Sequence, residues 1–284
     1  MTQFDTVGLS DVNMHPNTRH LFDALLQREQ IRQALYHGGW LAGGFIRQVL
    51  LGNDVTKTYL VGSAESYIGD IDVFFSDAAI AKNFVTEYGS NVGRSYGGFA
   101  SEENVSLDFK VFPRTLKFQY VDSPQMCLPF EESMSRFDFT NCKVAFKGGL
   151  FHIPSVWGEI ETRHQLQISN NESPFLGSRI LKYMKCRDIK TITDDSVPLL
   201  KEWIYRVAAG DFPGYEQRHM AGFESAIRRL YETNKMDRDF LTLFLGRWIS
   251  YDKVPQSYGH YEQVAVDWAL TELGKDKLNR QHVG

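Results

Sequence analysis

The sequence is poor in the residues that staple small domains together. Its 284 residues hold only three cysteines, Cys127, Cys142 and Cys186, odd in number and widely spaced. That spacing excludes a disulfide framework and a CxxC zinc site, so three reduced, buried thiols are expected. Apolar runs fall far short of the roughly 20 residues that cross a bilayer. The first residues, Met1-Thr2-Gln3-Phe4-Asp5, lack the basic and apolar regions of a secretory leader. No membrane partner and a cytoplasmic location are therefore expected. Positive charge is not in excess either: 31 Lys and Arg stand against 35 Asp and Glu, a net charge of −4. Nucleic-acid binding would then need a local basic patch. No repeat, low-complexity tract, GxSxG or HExxH occurs, and the eight histidines form no ligand spacing.

What is present suits folded cores. Hydrophobic residues make up 43% of the chain and aromatics 13%, too much for disorder. The length suits one large domain or two to three small ones.

Residues 1–16 are polar and without period, and read as a loosely held arm. From Asn17, a candidate N-cap, Leu21, Phe22, Leu25 and Leu26 follow helical spacing. Ile31 and Leu35 continue it with a phase shift, a kink or a second short helix, up to the stop at Gly38-Gly39. Strands are expected at 40–42, 58–61 and 71–75, and helices near 45–51 and from Ser76-Asp77 to Gly89. Residues 89–101 read as a glycine- and serine-rich loop. Val105–Phe112 and Leu116–Val121 read as a hairpin about Pro113-Arg114. A short helix at 130–136 and a second hairpin about Lys147-Gly148-Gly149 follow. Beyond Ile153 helices predominate: 155–166, 174–187, 197–209, 215–234, 237–249 and 259–273. A mixed sheet followed by helices predicts an α+β fold. The expected division is an N-terminal arm and helix at 1–37, a mixed-sheet head at 38–154, and a helical neck and C-terminal region at 155–284.

The chemistry concentrates between Trp40 and Phe75. Trp40-Leu41-Ala42-Gly43-Gly44-Phe45-Ile46-Arg47 is an apolar strand and a glycine turn opening a helix. Gly43-Gly44 lets a backbone approach a ligand closely, and amides at a helix start suit a phosphate. Asp70 and Asp72, two apart on a strand, share one face. Neighbouring carboxylates repel unless a cation lies between them, and hard oxygen ligands suit Mg²⁺.

Three blocks together carry a family resemblance, over roughly residues 38–190. The first is Leu41-Ala42-Gly43-Gly44-x-x-Arg47-x-x-Leu50-Leu51-Gly52 with Asp70-Ile71-Asp72-Val73. The second is Ser135-Arg136-Phe137-Asp138-Phe139-Thr140-Asn141-Cys142-Lys143-Val144-Ala145-Phe146, similar to Arg-Arg-Asp-Phe-Thr-Ile-Asn-Ala-Leu-Ala-Tyr. The third is Pro174-Phe-Leu-Gly-Ser-Arg179-Ile180-Leu181-Lys182-Tyr183, similar to Pro-x-Arg-Ile-Leu-Arg-Ala-x-Arg-Phe. In that order they resemble the head and neck of class II nucleotidyltransferases, the tRNA CCA-adding enzymes and bacterial poly(A) polymerases of the DNA polymerase β-like superfamily. The resemblance implies template-independent transfer of NMP from an NTP to a hydroxyl by a two-metal mechanism. It implies Asp70 and Asp72 as ligands of Mg²⁺ or Mn²⁺. It also implies Gly43, Gly44 and Arg47 at the β- and γ-phosphates, and Arg136 and Asp138 near the ribose and base.

The bland alternatives are a solvated strand end for the Asp pair, an exposed helix charge for Arg47 and a structural hydrogen bond for Asp138. The chain departs from the pattern at Phe137, which replaces an arginine, and at Cys142, which replaces an asparagine. No Glu-Asp-x-x-Arg base-reading motif follows Arg187, and the insert between Gly52 and Asp70 is long. The third carboxylate stays open between Asp108 and a strand that places Gln119 there, an amide that ligates Mg²⁺ poorly. Arg179, Lys182, Lys185 and Arg187 form either a phosphate-facing stripe or a solvated face. The expected partners are an NTP and an acceptor: an RNA 3′ end (tRNA-like), a protein or a small molecule. The rival reading is a catalytically inactive binding or assembly subunit.

Overall fold

The computed structural model describes residues 2–55, 71–88, 92–95, 98–101, 118–173, 176, 179–180, 183, 189 and 191–209. The chain divides into two units, 1–158 and 159–284. In order, the first unit contains β1 (Phe4–Gly8), α1 (Pro16–Leu26), α2 (Glu29–Tyr36), β2 (Trp40–Ala42), α3 (Gly44–Leu50), β3 (Ile71–Phe74) and α4 (Ala78–Tyr88). It continues with β4 (Val92–Ser95), β5 (Gly98–Ser101), β6 (Phe118–Tyr120), α5 (Phe130–Ser135), β7 (Ala145–Lys147) and β8 (Leu150–Pro154). A six-stranded sheet runs β1-β8-β7-β2-β3-β6, antiparallel except for the parallel pair β3–β6. The fold is α+β, as expected.

Alternation along the strands sorts side chains onto two faces. Leu41, Ile71, Val73, Phe118, Tyr120, Phe146 and Phe151 belong to one buried cluster with Phe22 and Leu25 of α1, Ile46 and Val49 of α3, and Phe84 of α4. Trp40, Ala42, Phe74 and Ala145 form a second cluster with Phe130 and Met134 of α5. With apolar cover on both faces, the central strands read as continuous apolar runs. The even residues of β3 and β2 therefore share the α5 face, and Asp72 and Gln119 lie on it.

Several elements differ from expectation. Residues 4–8 are not an arm: they pair with β8, Phe4 opposite Pro154 and Gly8 opposite Leu150. α1 starts at Pro16, and His15, not Asn17, is its cap, with Nδ1 accepting from the Asn17 N–H at 3.3 Å. Proline suits a first helical position, where its missing N–H has no helical partner. The glycine- and serine-rich stretch forms the β4–β5 hairpin, Ser95 opposite Gly98. Of the residues expected to form a hairpin over 105–121, only those from Phe118 on are described, and β6 pairs in parallel with β3. The expected strand at 58–61 and the helices at 215–234, 237–249 and 259–273 lie outside the described residues.

The helix expected over 155–166 stops early. α6 is Trp157–Thr162, His164 takes φ +53, and β9 (Gln165–Leu166) pairs in parallel with β10 (Thr191–Ile192). Of the expected 174–187 helix, residues 176, 179–180 and 183 are described as helical. α7 (Ser196–Ala209) matches the helix read from Val197. Among the described residues no helix is long and apolar enough to cross a membrane.

Candidate functional site

The site is built around the turn from β2 into α3. Antiparallel pairing sets Ala42 level with Asp72, so Gly43 follows directly beside that carboxylate. Gly43 adopts φ +88, ψ −152, a region essentially reserved for glycine. A Cβ there would lie 3.1 Å from Asp72 Oδ2 and 3.8 Å from a ring carbon of Phe137. The missing side chain thus gives the Asp72 carboxylate room beside the turn, while the Phe137 ring would be in ordinary contact with an added Cβ. The turn is held from the other side too, since the Gly43 N–H donates to Val144 O at 3.3 Å, next to β7. Parallel pairing with β6 sets Gln119 level with Asp72, both part-exposed on one face.

The Gly43-Gly44 turn and Asp72 therefore lie side by side. Arg47 is on α3 but only 1% exposed, a buried guanidinium with a partner rather than an exposed helix charge. Asp138 is buried at 6% exposure and also partnered. Arg136 follows α5 at its C-terminal cap and is exposed. Asp70 and Asp108 lie outside the described residues. Among the described residues no group of three or more His, Cys, Asp and Glu is placed to hold a metal ion. The donors present are still hard oxygens, a carboxylate at Asp72 and an amide carbonyl at Gln119 on the adjacent strand. The carboxylate is a ligand type that suits Mg²⁺ or Mn²⁺, and the amide ligates them poorly.

Two residues of the Ser135–Phe146 block were given no role by the sequence. Phe137, where the resembling motif has arginine, packs against Phe74 with ring centroids 5.3 Å apart and lies where a Gly43 side chain would reach it. Lys143 is buried, and burial pushes its ammonium below the usual lysine range. Its signal in the sequence was a lone charge inside the otherwise apolar run Cys142–Phe146. Cys142 and Cys127 are buried free thiols, as expected. Burial first, with the charges of Asp122 and Asp77, pushes the Cys127 thiol up to about 11.

The site is thus a strand, a glycine turn into a helix, and a carboxylate on the adjacent strand of a mixed sheet. Solved structures similar to the chain include a CCA-adding enzyme in its apo form I, at 14% identity and TM-score 0.44, covering 87% of this chain and 54% of that one. The Thermotoga maritima CCA-adding enzyme complexed with tRNA-CCA is similar at 14% identity and TM-score 0.41, over 88% of this chain and 68% of that one. The Bacillus stearothermophilus CCA-adding enzyme in complex with CTP is similar at 16% identity and TM-score 0.41, over 82% and 52%. No curated protein matches the chain. The family model of the Gabija anti-defense 2 proteins, Gad2, matches residues 15–159, about half of the chain and nearly all of its first unit. The chain belongs to the Gad2 family.

Proposed function

We propose that this Gad2 protein transfers a nucleoside monophosphate from an NTP to a hydroxyl acceptor, with Mg²⁺ or Mn²⁺ held by Asp72 and Asp70. The observation that supports it most is the Asp72 carboxylate set against the side-chain-free Gly43 turn. When bound, the metal would activate the attacking hydroxyl and neutralise charge on the departing pyrophosphate. Gly43 and Gly44 would leave room for the phosphates, and Phe137 would wall the turn and exclude water. Arg136, exposed at the end of α5, would meet the sugar or base. The family's anti-defense description directs the acceptor to a component of the opposing defence machinery. A net charge of −4 favours a protein hydroxyl over an RNA 3′ end.

A second reading has its own support. Gln119, not a carboxylate, stands level with Asp72, which favours a nucleotide-binding subunit without transfer. One experiment divides them: each labelled NTP, Mg²⁺ or Mn²⁺, and pools of proteins and RNAs, with wild type, Asp72→Asn and Gln119→Glu. Loss of an outer-shell partner already lowers metal affinity about 10–100-fold, so removing a ligand should lower transfer at least as much. Under the transferase reading Asp72→Asn loses label transfer by that margin. Undiminished transfer in Asp72→Asn would sink the site. Transfer seen only in Gln119→Glu, with NTP binding intact in wild type, would establish the binding subunit.

A further inference from the structure

Phe137 ends a row of rings on the α5 face of the sheet. Phe130 packs edge-on to Trp40 with centroids 5.4 Å apart, Trp40 stacks on Phe74 at 6.1 Å, and Phe74 meets Phe137 at 5.3 Å. The first three rings are buried, and Phe137 is half-buried. The core thus holds the Phe137 ring from behind and leaves part of it uncovered. That ring stands at the site. The position a Gly43 Cβ would take lies 3.1 Å from Asp72 Oδ2 and 3.8 Å from Phe137 Cε1, so carboxylate and ring edge flank one point. Along β3, Phe74 stands two residues beyond Asp72 on the same face, a step of about 7 Å. The sugar of a nucleotide sets its base apart from its α-phosphate by a similar reach. A nucleotide with its phosphates at Asp72 and the Gly43 turn can therefore bring its base to Phe137. Where the resembling motif has arginine, this chain offers a ring that makes no hydrogen bond to a base edge. What it offers is a π face, and every base has one to match.

We propose that Phe137 is the base-binding residue of the site, a stacking platform that takes any of the four NTPs by the face of its base. The assignment rests on the nucleotide reading above and deepens it, since it makes recognition tolerant of base identity. The absence of a Glu-Asp-x-x-Arg motif after Arg187 agrees with this, because nothing of that kind is left to read base edges. A cover for Phe74 alone would not need a ring, as a branched aliphatic side chain would pack there too. Backing by Phe74 and Trp40 suits a platform, because a ring already held in place loses little freedom when a base settles on it.

The test compares wild type with Phe137→Leu, Phe137→Ala and Phe137→Trp in the full chain. Affinity for each of the four NTPs and for tripolyphosphate, which has no base, is measured by titration calorimetry with Mg²⁺. Melting temperature is measured without ligand. Stacking of one base on an aromatic side chain is worth roughly a 5–150-fold change in affinity. Phe137→Leu and Phe137→Ala should each lose affinity for all four NTPs by that factor and keep it for tripolyphosphate. Phe137→Trp should bind the NTPs at least as tightly as wild type. If wild type binds NTPs and Phe137→Leu binds them equally well, the assignment is overturned and the nucleotide reading stands. A lower melting temperature in Phe137→Leu with parallel loss of tripolyphosphate binding also overturns it, as a packing role. Wild type that takes one NTP and refuses the other three overturns the base tolerance. Wild type that binds no NTP overturns both the assignment and the nucleotide reading.

Discussion

Gly43 shows how much one missing Cβ decides. Any L side chain at φ +88, ψ −152 is strained by about 1–3 kcal/mol. A methyl group there would also press on Asp72 Oδ2 at 3.1 Å. Gly43→Ala should therefore lower the melting temperature, by roughly 2–4 °C per kcal/mol in a unit of this size, and weaken metal-dependent NTP binding. Gly148, at φ +59 with nothing within 4 Å of an added Cβ, is the comparison. Gly148→Ala should show the backbone strain alone and keep NTP binding, which thermal melts and nucleotide titration will check. The need for glycine at 43 was legible because Gly-Gly between an apolar strand and a helix has few other uses. The nearness of Phe137 to that turn was not, because the two lie 94 positions apart in the chain and no local period records it.

Elements were legible wherever their ends carry local chemistry. Asp77 caps α4, one carboxylate oxygen accepting from the N–H groups of Ala79 at 2.7 Å and Ile80 at 3.0 Å. Asp77→Ala should destabilise the protein by about 1 kcal/mol, and Asp77→Asn by much less. Urea unfolding should show this as a lower midpoint at an unchanged slope; equal midpoints for the alanine and asparagine variants would contradict the cap. Gly38, at φ +77, ends α2 where Gly38-Gly39 predicted a stop. Strand β1 had no such signal. Its polar sequence is ordered by pairing with β8, and that partner lies nearly the whole length of the first unit away. The β4–β5 hairpin was read as a loop for a related reason, since strand preference depends strongly on neighbours.

At the scale of the molecule, β8 is the strand that ties β1 to β7, and its His152 should make that tie pH-dependent. His152 sits against the Phe130 ring, centroids 4.9 Å apart. Burial holds its pKa below 6.5, partly opposed by a backbone hydrogen bond to Lys147, with the Lys147 charge lowering it and Glu131 raising it to lesser extents. The folded state thus takes up the proton at a lower pH than the unfolded chain. Its contribution is present above pH 6.5 and is lost as pH falls from 6.5 through the lower folded value. Unfolding midpoints should drop over that range, and His152→Gln should flatten the drop relative to wild type; parallel curves would refute the role. The sequence by itself determined the α+β class, the strand–glycine turn–helix unit and the carboxylate face of β3, because each is written in neighbouring residues. Only the tertiary structure decided that β1 joins the sheet, that Gln119 stands beside Asp72, and that Lys143 is buried. Those facts depend on which distant strands pair, and pairing is set by burying both sheet faces at once rather than by any local pattern.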